Sequence, residues 1–211
     1  TRKERDSTRG RANSLRLAIT GQLGEGALTS DAMAETMKLC VSCKGCKSEC
    51  PTSVDMARMK IEVQAARVSK HGITFHDRLV AYLPRYAPMV SRFPFLVNLR
   101  NRIPLLAKLT EKLTGFTATR DLPKWDAKPF KSSEVGPQTE PEAVLFADCF
   151  NRYFEPENLR ATTKVLKAAN VAFDVAVAPK GERPLCCGRT FLSAGLVSEA
   201  KVEAQRLVDA L

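Results

Sequence analysis

Cys40-Val41-Ser42-Cys43-Lys44-Gly45-Cys46-Lys47-Ser48-Glu49-Cys50-Pro51 has the pattern C-x2-C-x2-C-x3-C-P, the spacing that holds a [4Fe–4S] cube. Thiolates at i, i+3 and i+6 on a tight coil reach three irons while the intervening amides point at the sulfides. The fourth Cys, pushed away by the proline, commonly ligates a different cluster, so one cube or two is expected, with a partner motif elsewhere. Cys40, Cys43, Cys46 and Cys50 are therefore the candidate metal ligands, and electron transfer is the leading function. A zinc site and a disulfide pair are the alternatives. Zinc ligands normally come as Cys or Cys/His pairs a dozen or more residues apart, which four Cys inside eleven positions match poorly.

Seven Cys in 211 residues are clustered rather than scattered, which suits a reducing compartment and metal ligation better than a disulfide scaffold. No apolar run approaches the ~20 residues of a membrane span, and no secretory h-region precedes the motifs. A cytoplasmic protein is expected. The chain starts at Thr1 without Met and ends at Leu211 within an amphipathic pattern, as a piece of a longer protein would. Residues 1–131 carry 24 Lys and Arg against 12 Asp and Glu, and residues 132–211 carry 9 against 11. The basic half lacks the aromatic interleaving of a nucleic-acid surface, so no nucleic acid is expected. Cations there suit an anionic cluster or an acidic redox partner.

The first half has helical periodicity. Asp6 or Ser7 can cap a helix with Ala12, Leu15 and Ile19 on one face and Gly21 closing it. Ser30 caps Asp31 to Leu39 and delivers Cys40 at the helix end. Ser53 caps a helix with Ala57, Ile61 and Val68 in one stripe, ended by His71-Gly72. Met33, Met37, Met56 and Met59 are packing residues that shield the cluster. His71 and His76 are capping or surface residues. In residues 78–131, Pro84, Pro88, Pro94 and Pro104 divide an apolar and Arg-bearing stretch into short helices. These lie on a partner domain, with a membrane-surface segment as the alternative. Pro123, Pro129, Pro137 and Pro141 mark a linker over 118–142.

The second half changes period. Ala143 to Ala147 is a buried strand ending at Asp148-Cys149. Pro156 opens a helix to about Ala169, Asn170 turns the chain, and Val171, Phe173, Val175 and Val177 alternate as a second strand. Pro184-Leu185-Cys186-Cys187-Gly188 follows, then a helix aligning Leu196, Ala200, Leu207 and Leu211. This β-α-β-α order implies parallel strands, whose carboxyl ends are the usual place for function. Cys149, Cys186 and Cys187 fall there and should converge. A vicinal pair is an awkward disulfide, since adjacent Cα atoms are ~3.8 Å apart; presenting two thiolates to a metal centre suits it better. The alternative is that Cys149 is a small buried apolar residue and the vicinal pair a tight loop.

Asp148-Cys149-Phe150 followed by Cys186-Cys187-Gly188 resembles the first half of a cysteine-rich CCG domain, as in heterodisulfide reductase subunits and the iron–sulfur subunits of glycolate oxidase and anaerobic glycerol-3-phosphate dehydrogenase. With Asp6-Ser7-Thr8-Arg9-Gly10-Arg11-Ala12 and the Cys40 motif, residues 1–211 are similar to the C-terminal iron–sulfur part of bacterial FAD-linked D-2-hydroxy-acid dehydrogenases of the D-2-hydroxyglutarate or D-lactate type. The resemblance implies an α-helical ferredoxin-like domain over 1–117, a linker over 118–142, and the N-terminal half of a parallel α/β CCG-type domain over 143–211. It implies one or two [4Fe–4S] clusters, a second iron–sulfur centre at Cys149, Cys186 and Cys187, and FAD in an upstream flavin domain in cis or in another subunit. The acceptor would be a protein or a quinone. The resemblance also implies a first Cys motif before residue 1 and further Cys after 211. Peripheral membrane contact and homo-oligomerisation are compatible with it. The competing functional class is a non-catalytic iron–sulfur subunit or docking module of a heterodisulfide-reductase-like complex, and a third is thiol/disulfide chemistry in the CCG half.

Overall fold

The computed structural model describes residues 3–136 and 140–211, so Pro137 of the proline-rich segment lies outside the described residues. The chain is mostly helical with one small parallel sheet. In order the elements are α1 (Thr8–Ile19), α2 (Asp31–Lys38), α3 (Gly45–Glu49), α4 (Met56–His71), α5 (Phe75–Ala81), α6 (Leu83–Val90), α7 (Pro94–Arg102), α8 (Pro104–Thr114), β1 (Ala143–Leu145), α9 (Cys149–Tyr153), α10 (Pro156–Ala168), β2 (Phe173–Val175), α11 (Arg189–Ser193) and α12 (Val197–Asp209).

Local chemistry sets most of the boundaries. The Ser7 and Ser30 hydroxyls accept from the Gly10 and Met33 amides and start α1 and α2. Asp55, not Ser53, caps α4, because Ser53 sits left-handed at φ 54° in a turn that donates its amide to the Cys50 carbonyl. Pro94, Pro104 and Pro156 each occupy the first turn of a helix, where a missing N–H costs nothing. Asn170 takes φ 56° and turns α10 into β2. The strands are shorter than the alternation implies, three residues each, paired Ala143 with Phe173 and Leu145 with Val175. Cys149 opens the short helix α9 rather than closing a strand, since Asp148 caps the Phe150 and Asn151 amides. Several apolar positions expected on buried faces are exposed instead: Ile19 at 74%, Leu211 at 64%, Val177 at 57%, Val144 at 43% and Met59 at 36%.

Four apolar cores hold the chain. Leu15, Met33, Met37, Met56 and Val63 form one beneath the Cys40 loop. Phe130, Val135, Ala147, Leu159, Phe173 and Val175 form another under the sheet. The remaining two join the halves: Ala81 with Phe191, Ala194 and Ala200, and Ala87 with Trp125, Cys149 and Tyr153. Phe191 has no exposed surface, a burial that contributes about 1.5–3 kcal/mol.

Apart from a 3-10 turn over Ser132–Glu134, residues 118–136 are irregular, as prolines require, but they are not slack. Asn98 binds both backbone polar groups of Trp125, Asn101 binds those of Leu122, and the Asp126 and Phe130 amides donate to the carbonyls of Tyr153 and Arg152. A second seam runs through Gly195, at φ +81°, where an added Cβ would stand 2.7 Å from the Gln64 backbone. Only glycine lets α11 and α4 approach this closely. By contrast α7, α8 and their flanks leave Met89, Phe93, Phe95, Leu96, Leu105, Leu109 and Leu113 exposed. Among the described residues no helix is long and apolar enough to cross a membrane.

Candidate cysteine centre

Helix α2 ends where the Cys40 amide donates to the Met37 carbonyl at 3.0 Å. The chain then makes two left-handed residues, Ser42 at φ 56° and Lys44 at φ 63°, on either side of Cys43. Amides between such alternating conformations point into a common concavity that suits anions, iron–sulfur clusters included. Among the described residues the amides of Val41, Ser42, Cys43, Lys44 and Gly45 donate to no acceptor. Lys44 and Lys47 tie this loop to α4, their Nζ atoms 3.9 and 3.8 Å from the Asp55 carboxylate.

The four cysteines differ in setting. Cys40 and Cys46 pack partly buried against the methionine core, whereas Cys43 is exposed. Cys43 Sγ would lie 3.8 Å from a Cβ at Gly45. Cys50 is half-buried, with Sγ 3.1 Å from Thr52 Oγ1. That hydroxyl, together with the amides of Val54, Thr52 and Ser53, holds its thiol below the ordinary range. Donors aimed at sulfur favour the thiolate, the form that ligates metal.

Replacing Thr52 by Val removes the first of those donors. The pH profile of Cys50 alkylation in cluster-free protein, followed by mass spectrometry, should then move to higher pH. At a fixed neutral pH less thiolate is present, so labelling slows. Superimposable wild-type and T52V profiles would refute the role of the hydroxyl.

Positive charge beside Cys40 lacks a protein counter-ion. Lys60 Nζ donates to the Cys40 carbonyl at 2.5 Å, and Arg11, 7% exposed, donates Nε to the Thr36 carbonyl at 3.1 Å. Among the described residues neither has a carboxylate partner, although Arg85, Arg160, Arg183 and Arg206 all do. Burial lowers the Lys60 pKa, Arg11 lowers it further, and negative charge on Cys40 opposes both. Lys60 also lines a cavity of about 140 Å³ with Cys40, Ser42, Gln64, Arg189 and Ser193, between the cysteine loop and α11.

A second set of sulfurs meets at the start of α9 and before α11. Cys149 and Cys186 are buried and Cys187 is exposed. The Cys186 thiol, as a hydrogen-bond donor, pulls the Cys149 pKa down. The same bond pushes Cys186 up to about 11, and Cys187 is raised in turn, chiefly by its hydrogen bond to Cys186. The Gly188 amide reaches Cys186 Sγ at 3.4 Å. Gly188 is left-handed at φ +76°, and a Cβ there would stand 2.6 Å from the Ala200 carbonyl oxygen, so glycine lets α12 close over this loop.

Among the described residues no three His, Cys, Asp or Glu side chains form a ready single-ion cage. The donor set around Cys40 still fits an anionic cluster: thiols at three positions of one coil, free amides between them, and cations without a counter-ion. Lys60, Arg11, Thr52 and Arg189 are not marked by any sequence motif as companions of the cysteines. Arg11 stands in the Arg-Gly-Arg segment noted above, but its buried place behind α2 depends on a contact 25 positions away.

No family model and no solved structure matches the chain. It is similar to the D-2-hydroxyglutarate dehydrogenase of Escherichia coli (strain K12), 30% identical over 107 residues that make 51% of this chain and 10% of that protein. Over the same length it is 24% identical to the D-2-hydroxyglutarate dehydrogenase of Pantoea ananatis (strain AJ13355). The matched part spans about a tenth of these curated relatives.

Proposed function

We propose that this chain is the electron-relay part of a FAD-linked D-2-hydroxy-acid dehydrogenase, with a [4Fe–4S] cluster on Cys40, Cys43 and Cys46 and with Cys50 serving a second. The observation that carries this reading is the cysteine loop itself: among the described residues five amides between the three thiols have no acceptor, and Lys60 on the Cys40 carbonyl and Arg11 on the Thr36 carbonyl have no carboxylate partner. The similarity to two dehydrogenases supports the oxidoreductase setting. A cluster bound there supplies one-electron transfer at a potential set by burial, hydrogen bonds to sulfur and nearby charge.

The chain's own residues have separable tasks. Cys40 and Cys46 anchor the loop to the core, while Met33, Met37 and Met56 exclude water from beneath it. The amides from Val41 to Gly45 are available to sulfides. Cys149, Cys186 and Cys187 are proposed as the second centre, built where the two halves share the core around Ala87 and Tyr153. The exposed apolar flank of α7 and α8 fits helices that pack on a flavin-bearing partner, and the acceptor is proposed to be a protein or a quinone. The hydrogen-bonded Cys149 and Cys186 thiols also favour a second reading for this half alone, thiol/disulfide chemistry.

Iron and acid-labile sulfide should be measured on anaerobically purified full-length protein, with absorbance followed on adding D-2-hydroxyglutarate. About four irons per cluster with matching sulfide, bleached by the hydroxy acid, is expected. Stoichiometric zinc, or neither iron nor sulfide, would refute the reading.

A further inference from the structure

We propose that Lys60, backed by Arg11, sets the reduction potential of the cluster assigned above to Cys40, Cys43 and Cys46. The inference rests on that assignment and adds a role for residues outside the ligand set. Lys60 lies on α4, twenty positions after Cys40, and its ammonium is fixed by the 2.5 Å bond to the Cys40 carbonyl. Arg11 comes from α1, behind α2, and is fixed on the Thr36 carbonyl. A third cation, Arg189, exposed at the start of α11, lines the same cavity as Lys60 and Cys40. Half-buried arginines on α6, α10 and α12 are neutralised by Glu134, Glu157, Glu199 or Glu203, while the buried Arg100 on α7 is held by Thr110 and the carbonyls of Phe116 and Thr117 rather than by a cysteine-loop carbonyl. Among the described residues Lys60 and Arg11 have only carbonyl acceptors, so their charge is left to act on whatever anion the cysteine loop holds.

Reduction adds one electron to that anion. A fixed cation in a poorly screened setting lowers the energy of the more negative state and so raises the potential. Gln at position 60 keeps an N–H donor for the Cys40 carbonyl but carries no charge, which separates electrostatics from positioning. Arg keeps the charge.

The test is a dithionite titration of anaerobic full-length protein, with dithionite as electron donor and the cluster as acceptor, monitored by electron paramagnetic resonance. Wild type, K60Q, K60R and K70Q are compared; Lys70 is exposed at the far end of α4. Iron and sulfide are counted in each sample. A lower midpoint potential in K60Q, with K60R and K70Q near wild type, supports the inference. An unchanged potential in an iron-replete K60Q overturns it and leaves the cluster assignment intact. If K60Q loses its cluster, K60R decides. A full cluster at the wild-type potential supports the charge role, and a cluster lost from K60R as well overturns it. A wild-type protein without iron overturns the cluster assignment itself.

Discussion

Replacing Cys43 by Ser is expected to strip the cluster bound by Cys40, Cys43 and Cys46 while leaving the fold in place. Cys43 is the right position because it is exposed and contributes nothing to the methionine core, whereas Cys40 and Cys46 pack against that core. A loss of iron in C43S therefore reports ligation rather than collapse. Iron and sulfide should fall by about four per chain, with the cluster absorbance. Far-ultraviolet circular dichroism should stay close to wild type. Cys50 gives the complementary result. Its sulfur is turned toward Thr52, and its thiolate is favoured by amides of the turn after Pro51. Cys50→Ser should remove a second cluster and spare the first. If C43S and C50S lose the same spectral species, the two-cluster wiring is wrong; if C43S keeps all of its iron, Cys43 is no ligand.

The parts of this structure that were legible in the sequence are those governed by short-range chemistry. Caps and breakers act within one turn, so Ser7, Ser30, Gly72, Pro156 and Asn170 could be placed before any tertiary contact was known. The order β1, α10, β2 likewise dictated parallel strands. The place of the cysteine segment between α2 and α4 was legible for the same reason, although the short helix α3 within it was not.

Misplaced features depend on contacts far apart in sequence. Asp148 carries a strong capping signal, yet the strand pattern before it hid the short helix α9, which is stabilised by packing Tyr153 on Trp125 and Ala87. Leu211 continues the apolar stripe of α12 in sequence but lies past the last helical residue, Asp209, and is left in solvent. Composition marked residues 118–142 as a linker but gave no sign that the Asn98 and Asn101 side-chain amides pair with the backbone of Trp125 and Leu122. Periodicity also gave α12 an apolar buried face, while its most deeply buried large side chain is an acid, Glu203, at 1% exposure.

Glu203→Ala should be among the most destabilising single substitutions in this chain. The Glu203 carboxylate accepts from Arg183 at 2.7 Å, from Arg206 at 2.9 Å and from Arg85 at 3.2 Å. Arg85 is shared with Glu199 and lies over the rings of Phe191 and Tyr82, 4.7 and 5.1 Å from their centroids. One acid thus joins α12, the loop before Leu185 and α6, and so bolts the helical half to the α/β half. Removing it leaves Arg183 without a carboxylate among the described residues and takes one from Arg85 and from Arg206, which keep Glu199 and Glu182. The cost for a buried partner is about 3–5 kcal/mol, reduced to about 2–4 because these arginines partly reach water and their charge is screened. At roughly 2–4 °C per kcal/mol for a chain of this size, the melting temperature should fall by about 5–15 °C. Glu203→Gln, which keeps an acceptor, should fall in between. Burial alone would raise the Glu203 pKa, but the guanidinium groups win and hold it below its ordinary 4.5. A depressed carboxylate stabilises the folded state above its unfolded pKa and loses that contribution as pH drops through the folded value. Wild-type stability should therefore decline below about pH 4.5 more steeply than that of E203A, the two curves converging in acid. Parallel curves across that range, or an E203A melting temperature within about 2 °C of wild type, which corresponds to under about 1 kcal/mol, would mean that the seam between the halves is held by Phe191 and its apolar neighbours alone.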